Sequence, residues 1–168
     1  MSPLLALGLP PDGRAVLRSA EQTRAFGARV GGLLAAGDLV VLSGPLGAGK
    51  TVLVQGIGQG LGVRGRVTSP TFVLARVHPG ALPLVHVDAY RLRESASGRL
   101  ELDDLDLDAS LPDSVTVVEW GEGLAEVLSE SRLDIRLERS VGTGDGANDG
   151  DGTDLRTVTV TPRGPRWG

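Results

Sequence analysis

The sequence predicts an α/β fold: a sheet with a parallel core, antiparallel strands added to it, and helices on both faces. Three observations carry this expectation. Strand-like apolar runs alternate with helical periodicities through the first half of the chain, the pattern of strand–helix–strand units around a largely parallel sheet. Leu39-Val40-Val41-Leu42 and Val115-Thr116-Val117-Val118 are short, nearly unbroken apolar runs and read as buried strands. Between the first of them and Val52-Leu53-Val54-Gln55, which can open a helix, lies Gly44-Pro45-Leu46-Gly47-Ala48-Gly49-Lys50-Thr51, a match to G-x-x-x-x-G-K-[ST].

The elements follow in order. Residues 1–13 hold three prolines and two glycines and are expected as a flexible arm. Ala15-Val16-Leu17 reads as a short edge strand. Ser19-Ala20-Glu21-Gln22 has capping-box spacing, with Ser19 at the N-cap and Gln22 at the third helical position. The helix is expected to reach about Leu34, with Phe26, Val30, Leu33 and Leu34 on one face and Gly37 closing it. A second helix follows the glycine-rich motif and ends near Leu61-Gly62. It contains Gly56, Gly58 and Gly60, each costing about 1 kcal/mol relative to alanine in a helix interior, and close packing against the sheet is the expected reason. Pro70 interrupts a strand-like run, so Thr68 to Thr71 reads as a bend and Phe72 to about Val77 as a strand. Pro79-Gly80 marks a turn, and Leu84 to Asp88 returns as its hairpin partner.

From Glu94 to Asp108 leucines alternate with acidic side chains, which fits either a short helix or an irregular solvated segment. The run from Val115 ends at Glu119-Trp120. A helix from about Glu122 to Leu128 and a strand from Leu133 to Leu137 are expected next. Gly142 to Asp154 is too polar to bury and reads as a flexible loop. Leu155 to Thr161 alternates like a last strand, and residues 163–168 form a tail. The expected organisation is one domain over residues 14–162, in the P-loop NTPase-like class of α/β sheets.

Composition narrows the function. The chain has 168 residues and a formal net charge of −4, with no cysteine. No basic block stands out, which argues against tight direct binding to nucleic acid or to an anionic membrane. Disulfides and thiolate metal sites are excluded. No apolar run approaches the roughly 20 residues of a membrane span, and no basic segment precedes Leu4-Leu5-Ala6-Leu7, so a soluble cytoplasmic protein is expected.

The chemistry of the motif is phosphate binding. Glycines let the backbone turn tightly so that successive N–H groups face phosphate oxygens, and the following helix N-terminus adds partial positive charge. Lys50 would reach the β- and γ-phosphates, and the Thr51 hydroxyl would coordinate Mg²⁺. Lys50 is the only lysine in the chain, which suits a compact point charge on phosphate. It also rules out the Asn/Thr-Lys-x-Asp element of the common GTPases, so ATP is favoured over GTP.

Nucleotide-bound Mg²⁺ calls for a carboxylate at the end of a neighbouring strand. Glu119 is the first choice for the metal and Asp88 for a second-sphere or water-orienting role; either could instead simply cap its strand end. Ser69-Pro70-Thr71 fits a loop that senses γ-phosphate, and equally plain turn chemistry. Arg91 could neutralise phosphate, although a surface arginine is the commoner case. His86, inside a strand, reads as packed or hydrogen-bonded rather than catalytic. Trp120 fits packing beside the nucleotide or packing in the core.

Taken together, Gly44 to Thr51, Gln55-Gly56, Gly60-Leu61-Gly62, Ser69-Pro70-Thr71-Phe72, His86-Val87-Asp88-Ala89-Tyr90-Arg91-Leu92 and Glu119-Trp120 resemble the TsaE (YjeE) family. That family comprises the bacterial ATPases required for threonylcarbamoyladenosine modification of tRNA, and the resemblance spans roughly Ser19 to Leu137. It implies ATP and Mg²⁺ as ligands, with Thr51 and Glu119 on the metal and Lys50, Asp88 and Glu119 as the catalytic set. It also implies a nucleotide-binding set of Thr23, Leu46, Gly47, Ala48, Gly49, Lys50, Thr51, Val52, Thr71 and Trp120. The implied partners are the TsaB and TsaD proteins, with tRNA met only through their complex and no membrane involved. The residues alone leave two other readings open, a small-molecule kinase with the same loop and a nucleotide-dependent binding module.

Overall fold

Strands that are apolar on both sides can be buried on both sides, and they form the centre of the sheet. In the computed structural model, which describes residues 1–45, 47–68, 75–89, 110–119, 128–139 and 155–168, seven strands make one sheet. They are β1 (Arg14–Leu17), β2 (Leu39–Ser43), β3 (Ala75–His78), β4 (Leu84–Asp88), β5 (Val115–Glu119), β6 (Arg132–Arg139) and β7 (Arg156–Arg163). Their spatial order is β1-β7-β6-β2-β5-β4-β3. The middle four, β6, β2, β5 and β4, are mutually parallel. Antiparallel strands complete both edges: β7 on β6, β1 on β7, and β3 on β4 as the expected hairpin. The α/β class with its parallel core and added antiparallel strands is therefore as expected.

Among the described residues three α-helices accompany the sheet, α1 (Pro3–Ala6), α2 (Ala20–Leu33) and α3 (Lys50–Leu61). The capping residue of α2 behaves as its spacing predicts: the Ser19 hydroxyl accepts from the Gln22 N–H at 3.1 Å. The reciprocal bond is displaced by one residue, the Gln22 side chain accepting from the Arg18 N–H at 2.8 Å. Phe26 and Val30 of α2 join Leu53, Val54 and Ile57 of α3 in one apolar cluster with Val40, Leu42, Val117 and Ile135 of the sheet. On the opposite face Leu39, Val41, Val85, Val87 and Val118 are buried together, with Leu128 packed against them. The helix expected from about Glu122, like the acidic stretch from Glu94 and the loop 142–154, falls outside the described residues.

Two of the three helix glycines do not face the sheet. A Cβ on Gly56 or Gly60 would collide with the backbone carbonyl of Arg24 or Ala28 in α2, and one on Gly27 or Gly31 would collide with that of Leu53 or Ile57 in α3. The glycines recur every fourth residue on both helices, so they line one seam and let the two backbones meet. Of the three only Gly58 points towards the sheet, where a Cβ would lie 3.7 Å from the Leu84 side chain of β4, and 2.6 Å from that of Val67 in the segment after α3.

Both chain ends differ from expectation. The segment before Arg14 is docked rather than loose: Leu7 and Leu9 are buried in the main core, and Arg29 donates to the Leu7 carbonyl at 3.1 Å. Burial of these leucines outweighs the local preference of the surrounding prolines and glycines for open chain. At the other end β7 runs on to Arg163, and the tail folds back so that Trp167 is buried. Arg166 lies with its guanidinium 4.1 Å from the Trp167 ring centroid and grips Asp38 through two hydrogen bonds of 3.1 and 3.2 Å.

Candidate functional site

The glycine-rich loop leaves β2 at the place where the sheet order turns back, with β6 on one side of β2 and β5 on the other. Crevices outside the carboxyl ends of parallel strands form at such a point. Gly44, Gly47 and Gly49 take φ values of 139°, 78° and 95°, a region that disfavours any side chain. At Gly44 a Cβ would also strike the Leu137 carbonyl of β6. Helix α3 begins at Lys50 directly after this turn, which places the positive end of its dipole at the loop.

Lys50 is buried, and its ammonium donates to the carbonyls of Gly44 and, at 3.1 Å, Pro45. Thr51, in the first turn of α3, is partly buried. A cavity of about 330 Å³ opens beside the loop, lined by Arg18, Ser19, Ala20, Thr23, Gly49, Val52 and Arg156. Thr23 is itself buried and bonds through its hydroxyl to the Ser19 carbonyl at 3.2 Å. Arg156, from β7, donates to the Ala48 carbonyl at 2.9 Å and to that of Gly47 at 3.3 Å.

The two strand-end carboxylates are neighbours. Asp88 pairs in register with Glu119, and Glu119 on its other side with Leu42, two residues before Gly44. Glu119 is 4% exposed, and its Oε2 lies 2.7 Å from Nε2 of the fully buried His86. A carboxylate can only accept, so the imidazole donates. The other ring nitrogen of His86, Nδ1, is buried and has no hydrogen-bond partner among the described residues. The ring of the buried His78 stands 6.5 Å away, centroid to centroid. Its pKa is lowered from 6.5 by burial first, then by the proximity of His86 and Arg76.

These residues fit a nucleotide with Mg²⁺. The loop turns on three glycines of positive φ, and Lys50, the chain's one lysine, is buried against its carbonyls. Thr51 and Glu119 offer hard oxygen donors of the kind Mg²⁺ takes. Among the described residues no group of three or more His, Asp or Glu could hold a metal on its own. Mg²⁺ does not require one, since it takes one or two protein ligands together with substrate phosphates and water.

Of the residues expected at the site, Gly47, Ala48, Gly49, Lys50, Thr51, Val52, Thr23, Asp88 and Glu119 lie around the loop and the neighbouring strand ends. Leu46, Thr71 and Trp120 fall outside the described residues, as do Ser69, Pro70 and Arg91. Arg156 and Arg18 were not anticipated. Arginine at the start of an alternating strand carries no signal that distinguishes a loop contact from a solvent-facing charge.

Comparison with known proteins decides the family. Residues 17–145 match the family model TsaE, described as threonylcarbamoyl adenosine biosynthesis protein TsaE. This chain belongs to the TsaE family. A curated TsaE, the tRNA threonylcarbamoyladenosine biosynthesis protein of Streptomyces coelicolor, is 60% identical over 147 residues, covering 86% of this chain and 93% of that protein. The TsaE of Bacillus subtilis is 35% identical over 149 residues, covering 88% and 84%. The crystal structure of YdiB from Bacillus subtilis superposes with a TM-score of 0.66 at 29% identity, over 92% of this chain and 87% of that one. Membership of TsaE thus agrees with the loop, the sheet and the family resemblance read from the sequence. No helix among the described residues is long and apolar enough to cross a membrane.

Proposed function

We propose that this chain is a Mg²⁺-dependent ATPase that serves threonylcarbamoyladenosine modification of tRNA in the cytoplasm, acting with the TsaB and TsaD proteins and meeting tRNA only through them. The observation that supports it best is the meeting of a glycine-built phosphate cradle with two strand-end carboxylates, Asp88 and Glu119, in adjacent register. In this reading the loop amides from Gly47 to Thr51 bind the phosphates. Lys50 leaves the loop carbonyls to pair with the β- and γ-phosphates. Thr51 and Glu119 hold Mg²⁺, which when bound neutralises phosphate charge. Asp88 orients the water that attacks the γ-phosphate in line. Thr23 and Val52 border the nucleotide, and Thr71 and Trp120 complete the set. The absence of any second lysine supports ATP over GTP.

Depletion of the protein in its own cell, followed by nucleoside analysis of tRNA, tests the pathway. Threonylcarbamoyladenosine should fall and return on re-expression of the wild-type chain but not of Lys50→Ala. Undiminished modification on depletion contradicts the reading.

A further inference from the structure

We propose that His86 is a positioning residue for Glu119: its Nε2–H fixes one carboxylate oxygen, and so prepares the other for the divalent cation that accompanies the nucleotide. The inference rests on the reading of Glu119 as a metal ligand. His86 pairs in register with Val117, two residues before Glu119 on the adjacent parallel strand. Alternation then puts both side chains on the same face of the sheet. The resulting contact is 2.7 Å long, between a fully buried imidazole and a carboxylate that is 4% exposed.

Packing alone does not explain a histidine here. Its neighbours Leu84 and Val117 belong to the apolar core, and its Nδ1 is buried with no hydrogen-bond partner among the described residues. A leucine would fill such a place without stranding a polar atom, whose burial is unfavourable. Among the described residues the one hydrogen bond that the ring makes is the bond to Glu119, and that bond fixes the Nε2–H tautomer and limits rotation of the carboxylate. Carboxylates that ligate metals are themselves commonly held by such bonds, whose loss weakens binding roughly 10–100-fold.

The test uses the full chain with saturating ADP and Mn²⁺ as a paramagnetic probe, free Mn²⁺ being followed by electron paramagnetic resonance. His86→Leu should weaken Mn²⁺ binding about 10–100-fold while leaving calorimetric ADP affinity without metal unchanged. His86→Gln, which keeps an N–H donor, should recover most of the loss. Glu119→Gln serves as the reference. Wild-type Mn²⁺ affinity in His86→Leu, with weak binding in Glu119→Gln, overturns the positioning role alone. Wild-type affinity in both variants overturns the metal assignment, and the positioning role with it. A measurement without any variant stands beside these: ¹⁵N shifts of the metal-free wild type should show His86 protonated at Nε2 and bare at Nδ1. The reverse tautomer contradicts the proposal even if His86→Leu does not fold.

Discussion

Arg156 donates its Nε–H to the Ala48 carbonyl at 2.9 Å, tying the last strand to the phosphate loop across 108 positions of sequence. A second bond, to Gly47, makes the contact two-pronged. These bonds hold the carbonyls of Gly47 and Ala48 and so fix how the loop is turned. Arg156→Ala should therefore weaken ADP binding by about tenfold, the equivalent of one charge-assisted hydrogen bond at a partly exposed site. Arg156→Lys should recover little of it, because an ammonium cannot reproduce the planar fork. Isothermal titration of both variants checks this, and wild-type affinity in Arg156→Ala contradicts it.

The glycine seam between α2 and α3 predicts opposite signs for one substitution at two places. Gly56→Ala drives a methyl group into the Arg24 carbonyl and should cost about 1–3 kcal/mol, as overpacking does. Gly32, near the end of α2, has nothing within 4 Å of its Cβ position, so Gly32→Ala should stabilise by a few tenths of a kcal/mol up to about 1 kcal/mol. Urea denaturation of the two variants against wild type measures both signs.

His78 sets a pH dependence. Its folded pKa lies below 6.5, chiefly through burial, with His86 and Arg76 adding to the effect. The unfolded chain consequently binds more protons than the folded one in the window between the depressed folded value and 6.5. Stability should rise with pH through that window, level off above it, and fall as pH drops below about 6.5. Denaturation midpoints across the acid range should show this slope, and His78→Leu should flatten it. A slope unchanged in that variant assigns the effect to another group.

How much of this was readable beforehand depends on how local the cause is. The phosphate loop was plain because its glycines answer to backbone geometry within eight residues. The strands β2 and β5 were plain because burial on both faces leaves an unbroken apolar run. Ser19 announced α2 by a bond to a residue three places away. The misreadings have distant causes. Leu7 and Leu9 look like part of a proline-rich arm until the core that receives them is known, and Trp167 looks like tail until Asp38 holds Arg166 beside it. Gly56 and Gly60 signalled close packing, but the partner is a helix whose matching glycines, Gly27 and Gly31, lie more than twenty residues earlier. Arg156 and the His86–Glu119 contact depend on strand order, which no single stretch of the chain encodes.

Phosphate release from ATP with Mg²⁺ addresses the function most directly, measured for the chain alone, with TsaB and TsaD added, and with candidate hydroxyl acceptors added. Turnover should be weak alone, rise when the two partner proteins are present, and disappear in Lys50→Ala and Glu119→Ala. Phosphorylation of an acceptor without any stimulation by the partners, or wild-type turnover in Lys50→Ala, would contradict it.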